Sequence, residues 1–142
     1  MALDRKLVHV SLLVNDYDEA IRFYVEKLDF EVIEDTKLDE NKRWVLVKPR
    51  GSGSCCLLLA KAQGEKQRSC IGNQSGGRVF LFLETDDFAR DYQNLIKQGI
   101  RIAREPSDEA YGRVAVFEDL YGNRWDLIQY KKSPNKTCSN QN

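Results

Sequence analysis

Apolar residues recur along this chain with two periods, and the alternation of those periods sets the expected elements. Leu7 to Val14 is a β-rich run holding the single histidine, His9. Asn15-Asp16 then supplies a helix cap, and Ala20, Ile21, Phe23, Tyr24, Val25 and Leu28 fall on one broad face of a helix over about 17–28. Strands are predicted over 30–35, 43–48 and 54–60, the last so continuously apolar that it reads as buried on both faces. Residues 61–78 break the pattern: polar, with Gly64, Gly72, Gly76 and Gly77, they read as a linker or lid loop. Gly76-Gly77 lacks the Gly-Lys-Ser/Thr sequence and the following helix of a phosphate-cradling loop.

The same succession then starts again. A strand is predicted over 79–84, and a helix over about 88–98, capped by Asp86-Asp87 and ended at Gly99. Strands follow over 100–104, 113–117 and 124–129. Glu105 to Tyr111, which contains Pro106, reads as a loop, and Tyr121-Gly122-Asn123 as a tight hairpin turn whose Gly and Asn accept positive φ at little cost. Residues 131–142 are polar and aperiodic, the pattern of a disordered tail. Both halves therefore read βαβββ. His9-x6-Asp16 sits beside Phe80-x6-Asp87 at an offset of 71, Arg43 to Val47 beside Arg113 to Phe117 at 70, and Gly53 beside Gly122 at 69, which pairs Asp126 with Leu57. Two modules, 7–60 and 79–130, joined by 61–78, make one α+β domain over 1–130.

Composition narrows the function classes. Lys plus Arg and Asp plus Glu both number 22, so there is no basic excess to bind nucleic acid by counterion release. No apolar run approaches the roughly 20 residues of a membrane span, and the first residues show no signal-peptide pattern, which points to a cytoplasmic protein. Cys55, Cys56, Cys70 and Cys138 show no C-x-x-C spacing and read as reduced thiols. None has a base beside it in sequence, so none reads as a nucleophile.

The chemistry-bearing positions are few. Asp126 stands between Trp125 and Leu127, and a carboxylate in such a strand needs a cation, a metal or hydrogen-bond donors to offset its desolvation. His9 is either a hydrogen-bonded core residue or a cleft-lining one. In a metal-free cleft His9 and Asp126 would act as general base and orienting acid, or simply satisfy each other. Arg124 and Arg113 suit an anionic ligand group or the neutralisation of Asp126. Phe80, Phe82, Phe117 and Tyr111 suit an aromatic cleft lining or plain core, and Glu84 shares a strand face with Phe80 and Phe82.

The opening His9-Val-Ser-Leu-Leu-Val-Asn-Asp16, the helix residues Ala20 and Phe23-Tyr24, and the closing Phe117-Glu-Asp-Leu-Tyr-Gly-Asn-Arg-Trp-Asp-Leu127 give residues 7–129 a family likeness. They resemble the vicinal oxygen chelate superfamily, the glyoxalase/bleomycin-resistance/dioxygenase group. That resemblance implies two βαβββ modules curved into a half-open barrel around a cleft, and a homodimer. In its metal-dependent members a divalent cation is held from the first and last strands of each module, positions that correspond here to His9, Leu57, Phe80 and Asp126. Leu57 and Phe80 have no lone pairs to give, so the expectation is a metal-poor cleft. Cys55 and Glu84 are the nearest substitutes on those faces, about 7 and 13 Å along their strands from the family positions. The resemblance implies a small-molecule binding or sequestering protein of the bleomycin-resistance kind. Its alternative is a glyoxalase-like lyase or isomerase, or a dioxygenase, using a divalent metal.

Overall fold

Asp16 and Asp87 open equivalent helices: Asp16 Oδ2 accepts the Glu19 amide at 2.9 Å, and Asp87 Oδ1 the Arg90 amide at 3.1 Å. Around these two caps the computed structural model, which describes residues 2–51 and 53–132, builds two copies of one unit. The first runs β1 (His9–Val14), α1 (Tyr17–Arg22), β2 (Phe30–Lys37), β3 (Arg43–Pro49) and β4 (Cys56–Lys61). After α2 (Gly64–Cys70), the second runs β5 (Val79–Glu84), α3 (Phe88–Lys97), β6 (Ile102–Glu109), β7 (Gly112–Glu118) and β8 (Arg124–Tyr130). The sheets are ordered β1-β4-β3-β2 and β5-β8-β7-β6, and in each the first strand lies parallel to the last. Neither sheet closes into a barrel. Among the described residues no helix is long and apolar enough to cross a membrane.

Several elements differ from the sequence expectation, each for a local reason. The first helix changes at Phe23 into a π-helical turn, Phe23–Lys27. Residues 61–78 are not a plain loop: they hold α2, and beyond it Gln74 lies along β1. Gln74 Oε1 accepts the Leu13 amide at 2.7 Å and its Nε2 donates to the Ser11 carbonyl at 3.2 Å, so the side chain imitates a neighbouring strand. Pro106 does not interrupt β6, because β6 is the outermost strand and a missing N–H on its open edge costs no ladder bond. β4 is buried on one face only: Leu57 and Leu59 are buried, whereas Cys56, Leu58 and Ala60 are half-open. At the hairpin turn Gly122 takes the positive φ of 95°, while Asn123 serves by its side chain instead. The expected tail lies, from Ser133 onward, outside the described residues.

Leu12 and Val14 of β1, Val45 and Val47 of β3, and Leu57 and Leu59 of β4 point to the side covered by α1. Ala115, Phe117, Trp125 and Leu127 point to the side covered by α3. These two sides form a single core. Phe30 meets Trp125 edge-on at 5.8 Å, Tyr24 lies 6.0 Å from the same ring, and Phe117 stacks on it at 5.9 Å. The modules thus share their helix-bearing sides, and the opposite face of each sheet turns outward.

The joint between modules is the β7–β8 turn. Asp119, only 6% exposed, accepts the Tyr24 hydroxyl at 2.5 Å and the Asn123 side-chain amide at 2.9 Å on Oδ2. Its Oδ1 accepts the backbone amides of Tyr121 and Asn123, each at 2.9 Å. Four donors therefore offset the desolvation of one carboxylate. The Trp125 indole donates in turn to the Tyr24 oxygen at 3.3 Å, and the Tyr121 hydroxyl donates to Glu19 of α1 at 2.6 Å. Burial, and then Asp119, hold the Tyr24 phenol well above its ordinary range, so it stays a donor. Gly72 completes the joint: with φ at 77°, an added Cβ would come 2.0 Å from the Tyr121 carbonyl oxygen.

Tyr24→Phe is expected to cost about 1–3 kcal/mol, because it leaves Asp119 and the Trp125 N–H each short of a buried partner. Denaturant titration at pH 7 reads this directly. An unchanged midpoint would show that the joint does not hold the modules together.

Candidate functional site

Strand alternation decides what the outward faces carry. On the second sheet, Trp125 and Leu127 are core, so Arg124, Asp126 and Ile128 face out. The register sets Phe82 and Val116 on either side of Asp126, and Glu84 and Val114 on either side of Ile128. Phe82, on edge strand β5, is 65% exposed. Asp126 Oδ1 is buried without a hydrogen-bond partner. That burial pushes the Asp126 carboxyl above its ordinary range, and the charge of Arg104 opposes the shift only in part.

On the first sheet Leu12, Val14, Leu57 and Leu59 are core, so His9, Ser11, Cys56 and Leu58 face out. The register pairs His9 with Cys56 and Ser11 with Leu58, and Leu46 faces Leu58 from β3. His9 Nδ1 lies 2.7 Å from the Val8 carbonyl oxygen. A carbonyl only accepts, so Nδ1 carries the proton and Nε2 keeps a free lone pair. The His9 ring meets Trp44 edge-on, centroids 6.1 Å apart. Trp44 shares the outward face of β3 with Leu46.

The structure sorts the sequence-stated candidates. His9, Phe82, Glu84, Arg124 and Asp126 all stand on outward faces. His9 and Asp126 belong to different sheets whose outward faces point away from the shared core, so one chain does not bring them into contact. Phe80 sits at a β5 irregularity between Val79 and Leu81 and packs against the core. Phe117 is fully buried and stacked on Trp125, so it is core. Arg113 faces the helix side, its guanidinium 5.3 Å from the centre of the Phe88 ring. Tyr111 is exposed in the β6–β7 hairpin beside Tyr130. Arg124 pairs with Glu118 at 3.7 Å rather than with Asp126. Leu57, which the repeat offset pairs with Asp126, is a core residue at 4% exposure; the outward position matching Asp126 is Leu58. Cys55 precedes β4 and lies exposed.

Trp44, Cys56, Leu58, Val116 and Arg104 belong to the surroundings of these faces and escaped the sequence reading. Period-2 counting along Arg43 to Lys48 separates Trp44, Leu46 and Lys48 from Val45 and Val47, and would have found Trp44. The β5 irregularity leaves no such signal.

A groove of about 1020 Å³ runs between α3 and the β3–β4 turn, and Phe82, Glu84 and Phe117 are among the residues that line it. Leu57, Leu81 and Leu127 line its floor, with Arg50 and Arg90 among its polar lining. It includes neither His9 nor Asp126 in its walls. Arg50 is held by Asp29, and Arg90 by Asp86 and Asp91, so its cations are already engaged.

The donor set was tested against a divalent cation. Of the four family positions only His9 and Asp126 carry lone pairs, Leu58 standing where Leu57 was expected. Among the described residues no three His, Cys, Asp or Glu side chains converge. The residues of one chain do not fit a divalent site.

The raised Asp126 carboxyl carries a sign. The folded chain holds that proton more tightly than the unfolded chain, so the associated stability is present in acid and lost as pH rises through the folded value. At neutral pH an ionised Asp126 therefore destabilises the fold. Asp126→Asn is expected to be more stable than the parent at pH 7, with the difference closing toward about pH 4 and below. A variant less stable than the parent at pH 7 would mean that Asp126 has a compensating partner in solution.

Comparison with known proteins agrees with this architecture. The family model described as the Glyoxalase/Bleomycin resistance protein/Dioxygenase superfamily matches residues 6–127. An uncharacterized protein of Shewanella frigidimarina (strain NCIMB 400) is 58% identical over 128 residues, 89% of this chain and 95% of that one. The crystal structure of UcmS2 superposes with a TM-score of 0.77 at 30% identity, covering 89% of this chain and 98% of that chain. TnmS3, an antibiotic binding protein from Streptomyces sp. CB03234, superposes with a TM-score of 0.72 at 28% identity, covering 92% of this chain and 99% of that chain. Two βαβββ units sharing one core, together with a family match over residues 6–127, make the chain a member of the glyoxalase/bleomycin resistance protein/dioxygenase superfamily.

Proposed function

We propose that the protein binds and sequesters a small, flat, mainly apolar molecule on its outward sheet faces. The observation that carries this reading is the exposed Phe82 on edge strand β5, in register with half-buried Asp126, whose Oδ1 has no hydrogen-bond partner. Leaving a phenylalanine in water forgoes roughly 1.5–3 kcal/mol that its burial would supply. A flat ligand lying over Phe82 would recover that energy, and a hydroxyl or N–H on the ligand would suit the Asp126 carboxyl. Similarity to an antibiotic binding protein supports a binding role.

The reading includes a second copy of the chain. A cleft needs two walls, and within one chain the His9–Trp44 face and the Phe82–Asp126 face turn away from each other. In a homodimer the first sheet of one copy and the second sheet of the other would enclose one ligand, twice over by symmetry. β1 and β5 are edge strands, and Leu7 and Val8 are exposed just before β1, which gives such a contact apolar area. Free thiols at Cys55, Cys56 and Cys70 suit a reducing, cytoplasmic setting. The glyoxalase-like lyase, isomerase or dioxygenase alternative requires a metal, which His9 and Asp126 would have to hold with ligands from outside the family positions.

Calorimetric titration with a panel of fused-ring aromatic ketones and phenols tests the reading. Trp44→Ala and Phe82→Ala are each expected to weaken binding about tenfold or more, the loss of one large aromatic contact. Binding unaffected by either change would remove the outward faces from the site. Elemental analysis of protein purified without chelator is expected to find less than stoichiometric metal. One equivalent per chain would favour the lyase or dioxygenase reading instead.

A further inference from the structure

We propose that the ligand of the outward second-sheet face is a flat aromatic molecule carrying one protonated amine, with Glu84 and Asp126 as the carboxylates that select its charge. The inference rests on the reading of that face as a binding surface and names the chemical class it would take.

The strand register sets the geometry. Phe82 stands level with Asp126 across the parallel β5–β8 ladder, about 4.8 Å away, and Glu84 lies two residues further along β5, about 6.6 Å from Phe82. Alternation puts Phe82 and Glu84 on one face of β5, the face that Asp126 and Ile128 share on β8. Phe82 and Glu84 are both exposed on this edge strand, and buried Val116 and Ile128 give the neighbouring floor. A ring lying on Phe82 therefore has one carboxylate level with it and a second diagonal to that one. An amine one carbon from such a ring falls between the two, near the negative face of the Phe82 ring.

The charges on this face do not balance. Glu118 is engaged by Arg101 at 3.8 Å and by Arg124 at 3.7 Å, and Arg104 lies 4.0 Å from Glu109. Among the described residues Glu84 and Asp126 form no ion pair, so four carboxylates meet three guanidiniums and one negative charge is left over. The groove that Glu84 borders does not supply the missing cation, since Arg50 is held by Asp29 and Arg90 by Asp86 and Asp91. On the outward face of the first sheet Lys48 is paired with Glu31 at 3.4 Å, so the lysine of the facing wall is engaged as well. Covering the face with a neutral ligand desolvates an uncompensated carboxylate, and an anion adds to the repulsion. A single ammonium group cancels the surplus, and its N–H groups make charge-assisted hydrogen bonds to the carboxylates.

The test is calorimetric titration of the full chain at pH 7 and low salt with 2-(aminomethyl)naphthalene, 2-(hydroxymethyl)naphthalene and 2-naphthoate, which share one ring system and differ in charge. The amine is expected to bind about tenfold or more tighter than the alcohol, and the carboxylate to bind weakest. Glu84→Gln and Asp126→Asn are each expected to narrow the amine-to-alcohol ratio by about threefold or more. Arg104→Gln removes an opposing charge and is expected to widen that ratio, a gain that structural damage would not produce. Alcohol bound as tightly as amine, a preference for the carboxylate, or a ratio indifferent to Glu84→Gln overturns the inference. If the naphthalenes bind without regard to charge, or only the neutral ketones and phenols bind, the sequestration reading survives that failure; if no member of either series binds, both fall.

Discussion

The arrangement of the whole molecule depends on one buried carboxylate. Asp119 forms no ion pair among the described residues and is held by four hydrogen-bond donors, one of which, the Tyr24 hydroxyl, comes from the other module. An ionised group buried without such donors would cost several kcal/mol. The β7–β8 turn is therefore stable only when Tyr24 is docked on it, and Tyr24 docks only when the two helix-bearing sides meet. Tyr121 and Gly72 reinforce the same contact, the first through Glu19 and the second by leaving room for a carbonyl oxygen.

Function follows from that joint by geometry. Because the modules share their helix-bearing sides, the other face of each sheet lies outside that common core, although Val114, Val116 and Ile128 on it are buried. The outward face of the second sheet keeps features that a folding optimum would remove: a largely exposed Phe82 and a carboxylate whose buried oxygen has no partner. Such departures from local consistency concentrate where a protein meets a ligand. They stand in register with each other, in the centre of a strand pair and away from any loop.

Much of this was legible in the sequence. The duplicated βαβββ order followed from apolar periodicity, from the matched caps Asp16 and Asp87, and from the closing Gly122-Asn123 turn, all of which are local signals. Which face each residue takes was legible only where a strand is regular. In β3 simple alternation separates Trp44 from Val45, but in β5 the irregularity at Phe80 shifts the parity, and the repeat offset that pairs Asp126 with Leu57 is one residue away from the outward Leu58. A single-residue slip exchanges the two faces of a strand, so that error moved a core leucine into the expected site. Contacts between distant segments left no sequence signal at all. The Tyr24–Asp119 bond, the Gln74 side chain on β1 and the His9–Cys56 register are all products of tertiary folding. Arg113 was assigned to the cleft on residue type alone, and its place over Phe88 shows how little type says about direction.

The central claim is that each binding cleft is walled by the first sheet of one copy and the second sheet of another. Mixing two weakened variants tests it most directly: Trp44→Ala, damaged only on the first sheet, and Phe82→Ala, damaged only on the second. After unfolding and refolding an equimolar mixture, random pairing would give about a quarter of all clefts two undamaged walls, and calorimetry should recover tight binding at that fraction of sites. If the mixture binds no better than its two components refolded separately, the walls of each cleft come from one chain and the account is wrong.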